Sequence, residues 1–142
     1  MLKPLVIGMA LVLGNFSIAR ATHPEELAAE CVDAVQSLVD RYENDAASST
    51  RECVRKINAL QAAGRDEAAI QVARECVSTA TRKARLVGEY IESIRDRCTD
   101  ALVDMGAFGL TRRVDSACSD SLEQVRNALE RQEYAISQAL ED

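Results

Sequence analysis

Aromatic side chains are scarce in this sequence: its 142 residues include no tryptophan, two phenylalanines and three tyrosines, beside two prolines and one histidine. So few aromatics leave little from which to build a sheet, and abundant alanine favours helices with thin, closely packing faces. A single histidine, His23, rules out a paired-histidine zinc motif. Successive cysteines lie 22, 23, 22 and 20 residues apart, far from the roughly two- to four-residue spacing of structural zinc sites. The chain also lacks a phosphate-cradling glycine loop and a Gly-x-Ser-x-Gly nucleophile elbow. These gaps argue against an enzyme, and no catalytic residue, cofactor or metal ligand is expected.

The first residues read as an export signal. Met1, Leu2 and Lys3 form a short basic start, an apolar stretch runs from Leu5 to Ile18, and Ala19-Arg20-Ala21 has the small-x-small pattern of a cleavage site. The apolar stretch is interrupted by Gly8, Gly14, Asn15 and Ser17 and falls short of the ~20 apolar residues a spanning helix requires. The expected mature chain is residues 22–142, a single helical domain of a secreted, extracellular protein. No later segment is apolar enough to span a bilayer. Removing Lys3 and Arg20 leaves 15 basic against 23 acidic residues, a net charge of −8. Such a balance disfavours nucleic acid and anionic membranes as main partners, because both are bound through lysine and arginine.

Helical periodicity organises the rest. Pro24 suits the first turn of a helix capped by Thr22 or His23. Small or apolar residues then recur at Cys31, Val35, Leu38, Tyr42, Ala46, Ser49, Cys53, Ile57 and Leu60, in steps of three and four. The polar stretch from Asn44 to Thr50 is where this first helix, about 24–63, could break. Gly64 is placed as its stop and Asp66 as the cap of a second helix, about 67–105. That helix carries a stripe from Ala69 through Cys76, Ala84, Ile91 and Cys98 to Met105. Gly106 to Gly109 interrupts the pattern, and Thr111 is expected to cap a third helix, about 111–141, with Val114, Cys118, Leu122, Val125, Leu129, Ile136 and Leu140 on one face. The expected fold is an all-α, elongated antiparallel three-helix bundle cross-linked by disulfides.

The cysteines sharpen this expectation. Arg-Glu-Cys-Val occurs twice, at Arg51 to Val54 and at Arg74 to Val77. Cys53 with Cys76 and Cys31 with Cys98 are both centred between Gly64 and Arg65, so a chain reversal there brings each pair together. Such bridges would close loops of about 24 and 68 residues, worth roughly 3 and 4 kcal/mol in the chain-entropy model. Cys118 competes, because a turn near residue 108 sets it opposite Cys98 as well. The shared centre favours Cys31 as the partner of Cys98, which leaves Cys118 as a buried thiol or the handle of a disulfide-linked dimer.

Other polar groups read as solvated helix faces. They include Glu25 and Glu26, Asp100 and Asp104, Glu130 and Glu133, and the basic run Arg82, Lys83 and Arg85. His23 reads as a chain-end residue. The acceptor-like Asn15-Phe16-Ser17 is lost with the signal.

Two functions remain. One is an extracellular structural or interaction module with an unknown protein partner. The other is a carrier of a lipid or other small apolar ligand, for which alanine-rich stripes leave little room. A void lined by Val35, Leu38, Val87, Ile91, Val125 and Leu129 would favour the carrier, and a filled core there the module. The processing site Ala19-Arg20-Ala21 and the widely spaced Cys31, Cys53, Cys76 and Cys98 on helices resemble the TsetseEP-domain family of secreted insect proteins. No Glu-Pro repeat is present. The resemblance implies an extracellular, gut-associated helical protein and supplies no catalytic residues.

Overall fold

The structure, a computed structural model, describes residues 23–142, so the expected signal peptide at 1–21 lies outside the described residues. Three helices follow one another, α1 at Pro24–Ala62, α2 at Asp66–Asp104 and α3 at Phe108–Glu141. Packed against one another, they make an all-α, disulfide-linked bundle. The Leu27 N–H donates to the His23 carbonyl at 3.2 Å, so His23 occupies the cap position and Pro24 the first turn, where its missing N–H costs nothing. α1 continues unbroken through Asn44 to Thr50. There Thr50 Oγ1 donates to the Ala46 carbonyl at 2.7 Å, which keeps its hydroxyl from competing for backbone elsewhere.

Two glycines end the first two helices by one mechanism. Gly64 (φ 74°) and Gly106 (φ 76°) take the left-handed conformation that L side chains avoid. At the first turn Gly64 N–H donates to Gln61 and Arg65 N–H to Leu60; at the second Gly106 donates to Val103 and Ala107 to Leu102, all at 2.8–2.9 Å. Each is a Schellman motif, which satisfies carbonyls left over at the helix end.

Three boundaries differ from the sequence expectation. Arg65, rather than Asp66, is the cap of α2, because its carbonyl accepts the first helical bond from Ala69 N–H at 3.0 Å. Asp66 and Glu67 instead lie in the first turn, where their charge complements the helix dipole. Thr111 does not cap α3, which begins three residues earlier at Phe108. Gly109 lacks the positive φ of Gly106, so it joins the helix, and Thr111 Oγ1 donates back to the Phe108 carbonyl at 2.7 Å. Met105 sits in the turn and is 38 % exposed, so the buried stripe of α2 ends at Leu102.

The chain divides into two compact units, each drawing on all three helices. One comprises 23–39 and Glu89–Leu122. Its core contains Leu27, Val35, Ile91, Leu102 and Val114, all fully buried with Cys31, Cys98 and Cys118. The other comprises Asp40–Gly88 and Glu123–Asp142. Its core gathers Cys53, Ile57, Ala69, Ala73, Ile136 and Ala139, with Leu60, Val72 and Val77 packed against them.

Candidate functional site

The two disulfides differ in their surroundings. Cys31 and Cys98 are bridged with their Cα atoms 6.4 Å apart, and both are inaccessible to solvent. Cys53 and Cys76 are bridged at 6.5 Å, but Cys76 is only half-buried. Small neighbours such as Ala73 and Ala80 permit this approach, since helices in ordinary contact lie about 8–10 Å apart. Cys118 carries a free thiol in the first unit and is fully buried. Burial pushes its pKa from 9.0 up to about 11; Arg95 opposes this, while Asp115, Glu92 and Asp96 add to it.

Alanine-rich faces leave little room for a cavity, but they leave some. A cavity of about 300 Å³, half-open to solvent, lies within the unit of Asp40–Gly88 and Glu123–Asp142. Ala46, Ser49 and Cys53 of α1 face it from one side, and Cys76, Thr79 and Ala80 of α2 from the other. The bridge fixes the helix spacing at one point, and side chains this short leave the volume beside it unfilled. None of the six residues whose lining of a void would favour the carrier borders this cavity; Val35, Leu38, Val87, Ile91 and Val125 are buried in the core instead, the arrangement that favours the interaction module.

Gln132 of α3 closes one part of the wall. It is 7 % exposed, and its Nε2 donates to the Ala46 carbonyl at 3.1 Å. That bond fixes which way the amide points, because the flipped amide would set two oxygens against each other. Gln132 Oε1 is left without a hydrogen-bond partner, and so is the phenol oxygen of Tyr42, another lining residue only 5 % exposed. A buried polar atom in this state costs about 1–3 kcal/mol. Burial, reinforced by Asp45, opposed by Arg131 and reinforced again by Glu43, holds the Tyr42 phenol above its usual pKa.

Charges at the rim are largely paired within the protein. Lys83 reaches Asp45 at 3.2 Å and Lys56 reaches Glu52 at 3.6 Å. Glu75 accepts a hydrogen bond from Gln71 at 3.2 Å. Lys83 thus departs from the solvated basic face expected of Arg82, Lys83 and Arg85; the other two are exposed. Glu25, Glu26, Asp100, Asp104, Glu130 and Glu133 are all exposed, as is His23 at the start of α1. Among the described residues no group of three or more histidine, cysteine or carboxylate side chains could hold a metal ion. Nor is any described helix long and apolar enough to cross a membrane.

Gln132 escaped the sequence reading, yet its signal was present. The apolar stripe of α3 steps by seven between Leu129 and Ile136, and Gln132 fills the skipped position. A polar residue on a core-facing register marks either a buried hydrogen bond or a site. No known family model, curated protein or solved structure matches this chain.

Proposed function

We propose that this chain is a secreted, disulfide-braced binding protein that holds a small ligand in the cavity between Tyr42, the Cys53–Cys76 bridge and Gln132, without catalysing a reaction. The observation that carries this reading is the cavity itself, whose wall is braced by the Cys53–Cys76 bridge and lined by both apolar and polar side chains. Ligand sites characteristically join apolar walls to a few convergent polar groups. Two intramolecular disulfides support an oxidising, extracellular setting. The leader-like residues 1–21 and the resemblance to TsetseEP-domain proteins point the same way. Burial of Cys118 favours a free thiol over a disulfide-linked dimer.

The test is secretion of the full chain followed by native mass spectrometry after incubation with an extract of the conditioned medium. The expected species starts at Thr22, has four oxidised cysteines and carries one small-molecule adduct. Ser49→Phe, which fills the cavity from a half-buried position on its wall, should abolish the adduct. An adduct that survives Ser49→Phe would place binding elsewhere.

A second reading, an interaction module with a protein partner, is favoured by a different feature. Val103, Met105 and Phe108 stand 43, 38 and 66 % exposed around the turn between α2 and α3. Neighbouring exposed apolar side chains of this kind mark contact surfaces.

A further inference from the structure

Gly109 lies in the first turn of α3, exposed and without a positive φ, and nothing comes within 4 Å of where its Cβ would be. A glycine inside a helix is less favourable than alanine, and no neighbour within the chain accounts for this one. Close approach by a surface from outside does. The hollow it leaves is next to Phe108, whose side chain stands 66 % exposed, with Val103 and Met105 exposed just before it in the chain. One patch, within the unit that holds Glu89–Leu122, thus offers both a knob and a hollow.

Charges beside the patch fall into two complementary halves. Asp100 and Asp104 are the last charged residues of α2, and Arg112 and Arg113 are the first of α3. This order runs against the helix dipoles, which favour acids at a helix start and bases at its finish. α1 and α2 both open on acids, as the dipole prefers, and α3 does not. Asp100 and Asp104, four residues apart on one helix, also repel each other. All four side chains are exposed, and among the described residues none of them forms an ion pair.

We propose that this surface pairs with the same surface of a second copy of the chain about a two-fold axis. Phe108 of each copy then fills the hollow at Gly109 of the other, and Arg112 and Arg113 of each face Asp100 and Asp104 of the other. A surface that meets itself must be self-complementary in this sense, residue i against j and j against i. The inference rests on the interaction-module reading above and names its partner. Cys118 is fully buried and takes no part, so the association is non-covalent. The contact is small and the two acidic chains repel at long range, which makes the pairing weak and concentration-dependent.

Sedimentation equilibrium of the secreted, oxidised chain tests this. The mass should rise reversibly with concentration towards twice that of the monomer. Gly109→Gln fills the hollow with a better helix former, so it should weaken pairing by at least about tenfold with helicity retained by circular dichroism. Asp104→Arg and Arg112→Asp should each be monomeric alone, and an equal mixture of the two should recover dimers, because only the mixed pair opposes unlike charges at both contacts. Pairing unchanged in Gly109→Gln, or a mixture no more associated than its components, overturns the two-fold contact. If either charge variant fails to fold, Gly109→Gln decides alone. A parent chain that stays monomeric at every concentration overturns the second copy as partner. In that case, a protein retained from conditioned medium by the parent and lost in Phe108→Ser would leave the interaction module standing with a different partner, and no such protein would remove both.

Discussion

Gln132 and Ala46, 86 residues apart in sequence, are joined by a hydrogen bond of 3.1 Å from the glutamine Nε2 to the alanine carbonyl. The same carbonyl accepts from Thr50 Oγ1 at 2.7 Å. A side-chain donor therefore reads the backbone of α1 at the cavity wall, and an oxygen in its place would meet a fully engaged acceptor.

Gln132→Glu should for that reason be destabilising at neutral pH, by about 2–3 kcal/mol, since it buries a charge against a carbonyl. Burial raises the pKa of such a carboxyl in the folded state. The penalty is then present at neutral pH and shrinks as acidification protonates the group. Urea titrations at pH 7 and pH 4.5 check this, and a loss that does not shrink at low pH contradicts the geometry. Gln132→Leu, which removes donor and orphaned acceptor together, should lie within about 1 kcal/mol of the parent.

Tyr42→Phe should stabilise the ligand-free chain by about 1 kcal/mol, because it deletes a buried hydroxyl with no partner. The tyrosine phenol is held above its ordinary pKa by burial and then by Asp45, against Arg131. Its contribution to stability is thus present below pH ~10 and is lost as pH rises through the higher folded value. The phenylalanine variant should show a shallower alkaline decline in chemical denaturation, and a destabilised variant would mean that the hydroxyl has an unseen partner.

Cys118 should resist iodoacetamide at pH 8 in the folded chain and react at once in denaturant, because its thiol is fully buried and its pKa is about 11. The folded value lies above the unfolded 9.0. Stability from this group is therefore essentially complete below pH 9 and falls by about 2 kcal/mol as pH rises to the folded value. Cys118→Ala should remove that part of the decline. Rapid alkylation of the native protein would contradict the burial.

Access separates the two disulfides. Cys76 is half-buried on the cavity wall, whereas Cys31 and Cys98 are both sealed. Thiolate attack requires contact with sulfur, so mild dithiothreitol should open Cys53–Cys76 first. Timed alkylation with peptide mapping reads the order. Simultaneous opening, or Cys31–Cys98 first, would show that reduction proceeds through unfolding rather than local access.

The helices were legible because long stripes at steps of three and four have one physical meaning, and because Gly64 and Gly106 are the glycines whose conformation ends a helix. Gly109 misled by type: a glycine can also stay helical, and then Thr111 falls inside the first turn. Asp66 looked like a cap by side chain, but the cap is set by the Arg65 carbonyl. The cavity was illegible for another reason. It depends on which short side chains of α1 and α2 face one another, a relation between helices that a stripe on one helix does not contain.

The bridge between Cys53 and Cys76 joins two copies of one tetrapeptide, Arg51 to Val54 and Arg74 to Val77, running in opposite directions. Both valines pack on the same core cluster, both glutamates line the cavity and both arginines are exposed. α1 and α2 therefore approach a local dyad through the sulfur pair, and a ligand resting against them alone would meet two nearly equivalent ends. α3 breaks that equivalence by bonding through Gln132 to the Ala46 carbonyl of α1, so the polarity with which the proposed ligand would enter is set by the helix that carries neither half of the bridge.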